Sequence, residues 1–429
     1  MRGGIGMKRW TKWVILLALF IMSIVNFADK SITGLAGIDI MNDLNLTSTQ
    51  FGIVGSSFFW LFSIAGIIGG TLSDRLGTGK LLAIMAIIWT IAQSMVLFVS
   101  SFPLLIFSRV LLGAGEGAFS ATAVSHLSKW FKPESRGLAI SIINFGNVVG
   151  IAVTAPIVVF INSNYGWKQA FFISGICSFV WLIAWLWLGR FKADDSNVEV
   201  GSKQGNKQEK NKKDVWKILR SPIFIFTILL AFIAYSVIVF GLTFNPAYLM
   251  KVKGLSEQQS AKVIAISGLI GAIFGIVLAF CSDRIYKKTN SLRKSRILFS
   301  AICAILTGIL YAMFPLVNGT GSIIIILSLV NTLVVTMNTL NPAIVISLLP
   351  ERRGAMAGTY YGLMTSSGIV APIIFGKLIQ ASGTNPAGGF SASIYGMSIA
   401  LVIAAILIYL FGKPKQRVST KNDKRTVNL

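Results

Sequence analysis

"WVILLALFIMSIVNFADKSITG", residues 13–34, runs apolar for more than half its length and then sets an acid and a base side by side. A helix of roughly 20 apolar residues crosses the ~30 Å hydrocarbon core of a bilayer. The stretch therefore reads as a membrane span carrying two charges, Asp29 and Lys30, that hydrocarbon penalises.

Eleven further runs share this length and character. The twelve cover residues 12–36, 49–70, 80–99, 103–125, 136–162, 168–190, 222–248, 261–281, 295–315, 320–348, 354–380 and 388–411. Composition agrees: 54% of the 429 residues are hydrophobic and 13% charged, about half the charged share of a soluble domain. The first span has the basic flank of a signal peptide, but it is too long and no A-x-A-like site follows, so it reads as a retained helix. The predicted fold class is an all-α membrane protein of twelve transmembrane helices.

A net charge of +24 raises the question of nucleic acid, and the placement of the charges answers it. With the N-terminus in the cytoplasm, 32 of the 39 Lys and Arg fall on the cytoplasmic side, nine of them between Arg190 and Arg220 and six between Arg284 and Arg296. This is the positive-inside bias of a plasma or inner membrane protein with both termini cytoplasmic. Basic loops beside anionic lipid account for the charge, and no nucleic-acid partner is expected. Cys177, Cys281 and Cys303 lie in or beside apolar runs and read as packing residues.

Residues 191–221 are polar and Lys-rich, the composition of a flexible connector. They divide the chain into an N-terminal six-helix bundle (1–190) and a C-terminal one (222–412), with a cytoplasmic tail at 413–429. The halves echo each other. "KPESRG" (132–137) opens the fifth span and "LPERRG" (349–354) the eleventh; "SDR" follows the second span at 73–75 and the eighth at 282–284. Matches at the same ordinal helix indicate a duplicated, pseudo-symmetric unit. Pro133 and Pro350 suit a first helical position, with Glu134 and Glu351 beside the positive end of the dipole. The motif thus serves equally as a helix start or as part of a gate.

Fully intramembrane charges are few: Asp29, Lys30, Arg109 and Glu116, on the first and fourth spans. Each costs ~2.5–3.5 kcal/mol at a helix centre, so all need partners. Neighbours at i and i+1 point about 100° apart and pair poorly. In "RVLLGAGEG" (109–117), Arg109 and Glu116 lie two turns apart on one face, ~10 Å along the axis, and Gly113, Gly115 and Gly117 allow close helix approach. The economical arrangement sets the first span against the fourth, with the four charges in one cluster. Such a cluster is neutral when ionised and +1 after one protonation, so an organic anion can be admitted with charge balanced. The alternative is a set of static ion pairs locking helices together.

Polar side chains gather in the tenth span (Asn331, Asn338, Asn341) and the eleventh (Thr359, Tyr360, Tyr361, Thr365, Ser366, Ser367), suited to a hydroxyl-bearing ligand or to helix–helix hydrogen bonds. Asn144 and Asn147 of the fifth span are candidates for the same cavity. Phe58, Phe59, Trp60 and Phe62 read as packing or lipid-facing residues, one of which could floor a pocket.

"GTLSDRLGTGK" (70–80) resembles the signature between the second and third helices of the major facilitator superfamily, and "GNVVGIAVTAP" (146–156) its Gly-rich fifth-helix motif. Within that superfamily the chain looks most like the anion:cation symporters, carriers of sugar acids and other organic anions, through "FADK" (27–30) and Arg109 with Glu116. The resemblance implies two six-helix bundles, alternating access and coupling to H⁺, with Na⁺ the alternative. It implies proton-carrying roles for Asp29 and Glu116, and substrate contacts from Lys30 and Asn147 with Thr365 opposite. Arg109, Asn341 and Tyr361 complete the candidate substrate site. Gly70, Asp74, Arg75 and Gly77, with their second copy Asp283 and Arg284, would form a cytoplasmic gate. Phe27 stands where those symporters carry Tyr, and Lys30 where they carry Arg, losing the planar fork that grips a carboxylate at two points. This points to a smaller or differently held substrate.

Enzyme chemistry finds little support. His126 is the only histidine, leaving no multi-His metal site, and no G-x-x-x-x-G-K-[ST] loop is present to bind ATP. No cofactor is expected, and a monomer in the lipid bilayer suffices. The nearest rival is a proton-coupled drug or cation antiporter, which fits the two acids but not Lys30 and Arg109.

Overall fold

In a computed structural model the protein is described over residues 3–131, 133–188, 217–349 and 353–412. The connector up to Trp216 and the tail from Lys413 lie outside the described residues, as do the side chains of Gly70, Asp74, Pro133, Glu134, Pro350 and Glu351.

Twelve helices among the described residues are long and apolar enough to span a membrane. They begin with Trp10–Leu35, Ser48–Gly69, Thr78–Phe98, Phe102–Leu127, Leu138–Tyr165 and Trp167–Leu188. Beyond the connector come Pro222–Thr243, Glu257–Thr289, Arg293–Leu316, Thr320–Leu348, Ala355–Ala381 and Pro386–Phe411. Hydropathy placed most ends within a few residues, because only a fully hydrogen-bonded helix is stable in lipid. The largest departure is the eighth span, which continues through Lys287 and Lys288 until Asn290 caps it in the left-handed conformation (φ 47°). The seventh stops at Thr243, and Pro246 starts a separate short helix, Asn245–Lys251.

Packing corrects one expectation. The first span does not lie against the fourth; it packs on the fifth, and less extensively on the sixth and seventh. The fourth packs instead along the second. A Cβ at Gly113 would sit 1.9 Å from the Phe58 carbonyl oxygen, and one at Gly117 2.1 Å from that of Phe62. Gly115 faces Trp89 of the third span. The glycines do permit close approach, but to the second and third helices. The cavity described below lies where the first and fourth helices face each other across the second and seventh.

Gly113→Ala is therefore expected to force the second and fourth spans apart, at the ~1–3 kcal/mol typical of overpacking. Gly358→Ala, where an added Cβ meets nothing within 4 Å, is the control. Thermal unfolding in detergent should show a lowered midpoint for the first variant and none for the second.

Among the described residues, the main contacts between spans of the two halves are second with eleventh, fifth with eighth, and first with seventh. At the end of the bundle opposite the basic loops, Asn162 of the fifth span donates from Nδ2 to Asp39 Oδ2 (2.6 Å) and to Glu257 Oε1 (2.9 Å) on the eighth. Ser163 adds a bond to Glu257 Oε2 at 3.0 Å. Hydrogen bonds to charged groups contribute ~1.5–3 kcal/mol each, so this latch biases that end shut. Asn162→Leu should favour the open state at least about tenfold, since ~1.4 kcal/mol shifts an equilibrium tenfold. The readout is maleimide labelling of Thr243→Cys in a cysteine-free background, applied from that side; an unchanged rate removes the latch role.

Candidate charged cavity

Where the first, second, fourth and seventh spans face one another, a narrow cavity of about 20 Å³ remains, roughly the room one water needs, so an anion enters only as the walls part. Asp29, Lys30 and Arg109 form its charged wall, Val54, Phe58, Phe59 and Leu242 its apolar wall, and Thr33 and Thr243 lie beside Gly55. Glu116 joins through Lys30: the ammonium Nζ stands 3.1 Å from Glu116 Oε2.

All four charges are buried, Asp29 at 0% and Arg109 and Glu116 at 1% exposure, with the Lys30 side chain at 5%. Their partners differ from those expected of a closed quartet. Lys30 also donates to Asn26 Oδ1 one turn back at 2.5 Å. Its ammonium lies over the rings of Phe27 (4.4 Å), Phe62 (5.0 Å) and Phe58 (5.8 Å), an aromatic surround that stabilises a desolvated cation. Arg109 donates from Nη2 to Gln93 Oε1 (2.7 Å) and from Nε to Ser108 Oγ (3.2 Å), and its guanidinium rests on Phe171 at 4.6 Å. Asp29 accepts a hydrogen bond from Ser174 of the sixth span.

Several acceptors remain open. Among the described residues, Asp29 Oδ2 and both Glu116 oxygens have no well-aligned donor, Gln93 and Lys30 approaching them off-line, so the Lys30–Glu116 contact is chiefly an ion pair. Buried oxygens without donors are costly. A proton delivered to either carboxyl would remove its charge and so relieve that penalty.

The remaining sequence candidates are scattered. Asn147 accepts from Ser23 of the first span, while Asn144 is exposed. Thr365 is buried across the interface of the halves, 3.0 Å from Ser63 of the second span. Asn341 is fully buried, with Tyr360 within hydrogen-bonding reach of its amide. Tyr361 is half exposed and packs edge-on against Tyr360 at 5.2 Å. In the gate motif, Arg75 is exposed and Gly77 holds φ +83°, which suits glycine. In the second copy, Asp283 pairs with Arg296 of its own half, and Arg284 lies on Phe280 at 4.9 Å. His126 is engaged by Thr78 (2.9 Å) and Trp130 (3.1 Å). Of the aromatics, Phe58 and Phe59 wall the cavity, whereas Trp60 is partly exposed and donates to Ser56 at 2.9 Å.

Sequence reasoning missed Gln93, Ser174, Thr33 and Thr243. Gln93 carried a usable signal, a single amide inside the apolar third span; the others are small hydroxyls of the kind that occur throughout membrane helices.

The Major Facilitator Superfamily profile matches residues 19–372. A hexuronate transporter of Bacillus subtilis is 27% identical over 407 residues, 94% of this chain and 96% of that protein. A probable sulfoacetate transporter of Cupriavidus necator is 29% identical over 433 residues, 96% of each. Among solved structures, a D-xylose-proton symporter superposes with a TM-score of 0.76 at 16% identity, covering 94% of this chain and 99% of that one; at that identity the likeness concerns the fold.

Proposed function

Because the chain belongs to the Major Facilitator Superfamily, and is thus a multi-pass membrane transporter and not an enzyme, we propose that it performs proton-coupled symport of a small organic anion by alternating access. The observation that carries this reading is the buried Lys30–Glu116 ion pair at 3.1 Å, beside a cavity walled by Asp29 and Arg109. The organic-anion relatives support it.

The chemistry follows from charge balance. With every member ionised the cluster is neutral, and Lys30 is occupied by Glu116. Protonating Glu116 frees the ammonium, leaves the site at +1 and lets an anionic head group take the carboxylate's place. A low dielectric makes any uncompensated charge expensive, so proton and anion load together. Asp29, beside Arg109, is the second proton candidate. Release of the Asn162 latch would expose the loaded site to the opposite side. Two six-helix bundles, joined by residues 191–221, would rock about this site in a plasma or inner membrane, with termini cytoplasmic and the monomer as the working unit. Lys30 and Arg109 disfavour export of a cation.

Proteoliposomes preloaded with a panel of organic anions test the reading. Uphill uptake driven by an imposed proton gradient, and absent with a sodium gradient, is expected. Uptake driven only by sodium would replace the ion, and no anion uptake under either gradient would remove the reading.

A further inference from the structure

The cavity walls restrict the body of the carried anion as well as its head. Resting on the anion-symport reading above, we infer that the substrate is a compact anion with an apolar body and few hydroxyl groups. Beyond its charges, the lining offers two neutral hydrogen-bonding side chains, Thr33 and Thr243, against the apolar Val54, Phe58, Phe59 and Leu242. A hydroxyl that leaves water for such a wall loses its hydrogen bonds without replacement, and aromatic faces reward apolar area.

The polar side chains of the tenth and eleventh spans, Asn338 and Tyr361 among them, lie outside this lining, and several hydroxyls donate within their own helices. Thr359 donates to Ala355 O (2.9 Å), Ser366 to Leu363 O (2.7 Å) and Thr339 to Val335 O (2.9 Å), each within its own helix. Thr365 is closed against Ser63. Asn341 and Tyr360 face each other and are wholly enclosed away from this lining. Lys30 acts in the same direction: a point charge wrapped by three rings favours a head group joined directly to apolar surface.

The test compares binding of phenylacetate and isovalerate with that of D-galacturonate and D-glucarate to the purified protein, by isothermal titration. Transport is then followed with benzenesulfonate, which does not cross lipid as a neutral acid. Apolar-bodied anions should bind at least about tenfold tighter. Val54→Thr, which keeps the side chain's shape while adding a hydroxyl to the wall, should narrow that ratio several-fold. Equal or tighter binding of the sugar acids, or a ratio unmoved by Val54→Thr, overturns the inference and leaves anion symport standing. Failure of every anion to bind, with no gradient-driven uptake, overturns both.

Discussion

Glu116→Gln is expected to abolish proton-driven anion uptake while leaving the protein folded enough to exchange anion across the membrane. The substitution keeps size and polarity but removes the titratable charge that faces Lys30 at 3.1 Å. A fixed neutral side chain imitates the protonated carboxyl, so the cluster stays at +1 and the anion binds without waiting for a proton. Uptake against a gradient should fall at least about tenfold, the equivalent of ~1.4 kcal/mol, while counterflow persists. Asp29→Asn, beside Arg109 in the same cavity, should show the same division if it carries the second proton. Unchanged driven uptake in either variant would remove that acid from coupling.

Lys30→Ala is expected to act on binding. Truncating one member of a buried charge pair costs ~2–5 kcal/mol, so anion affinity should drop by about 30-fold or more. It should also destabilise the fold by ~3–5 kcal/mol, because Glu116 would be left buried without its cation. Stability and function are separable with the double variant Lys30→Gln/Glu116→Gln. Removing both charges restores electrical balance, so the thermal midpoint should recover much of its loss while anion binding stays absent. Recovery of binding in the double variant would mean that the pair only holds helices together. Lys30→Arg should regain part of the affinity, since the charge remains and guanidinium also stacks on aromatic rings.

Most of the architecture was legible because the bilayer leaves so little choice. Apolar runs of the right length marked all twelve spans, and the scarcity of intramembrane charge singled out Asp29, Lys30, Arg109 and Glu116, whose burial the structure bears out. What sequence spacing could not convey is which helix faces which. Gly113 and Gly117 announced a close approach without saying that the second span would fill it. The partners of the charges were equally hidden: Gln93 and Ser174 reach Arg109 and Asp29 from the third and sixth spans, which depends on how six helices pack and not on any local pattern. Phe27, read as the loss of a hydroxyl, supplies an aromatic face to the Lys30 ammonium at 4.4 Å. Thr365, which the resemblance sets opposite Lys30 as a substrate contact, lies 3.0 Å from Ser63 of the second span, a neighbour no local pattern announces.

The central claim is that proton and anion compensate one another at the Lys30–Glu116 pair. It is tested most directly by measuring proton uptake when an anion binds to the purified protein in a weakly buffered, pH-monitored titration. The account predicts a proton taken up with each anion bound by the native chain, and anion binding with the proton uptake lost in Glu116→Gln. Anion binding to the native protein with no accompanying proton, or an unchanged proton signal in Glu116→Gln, would contradict it.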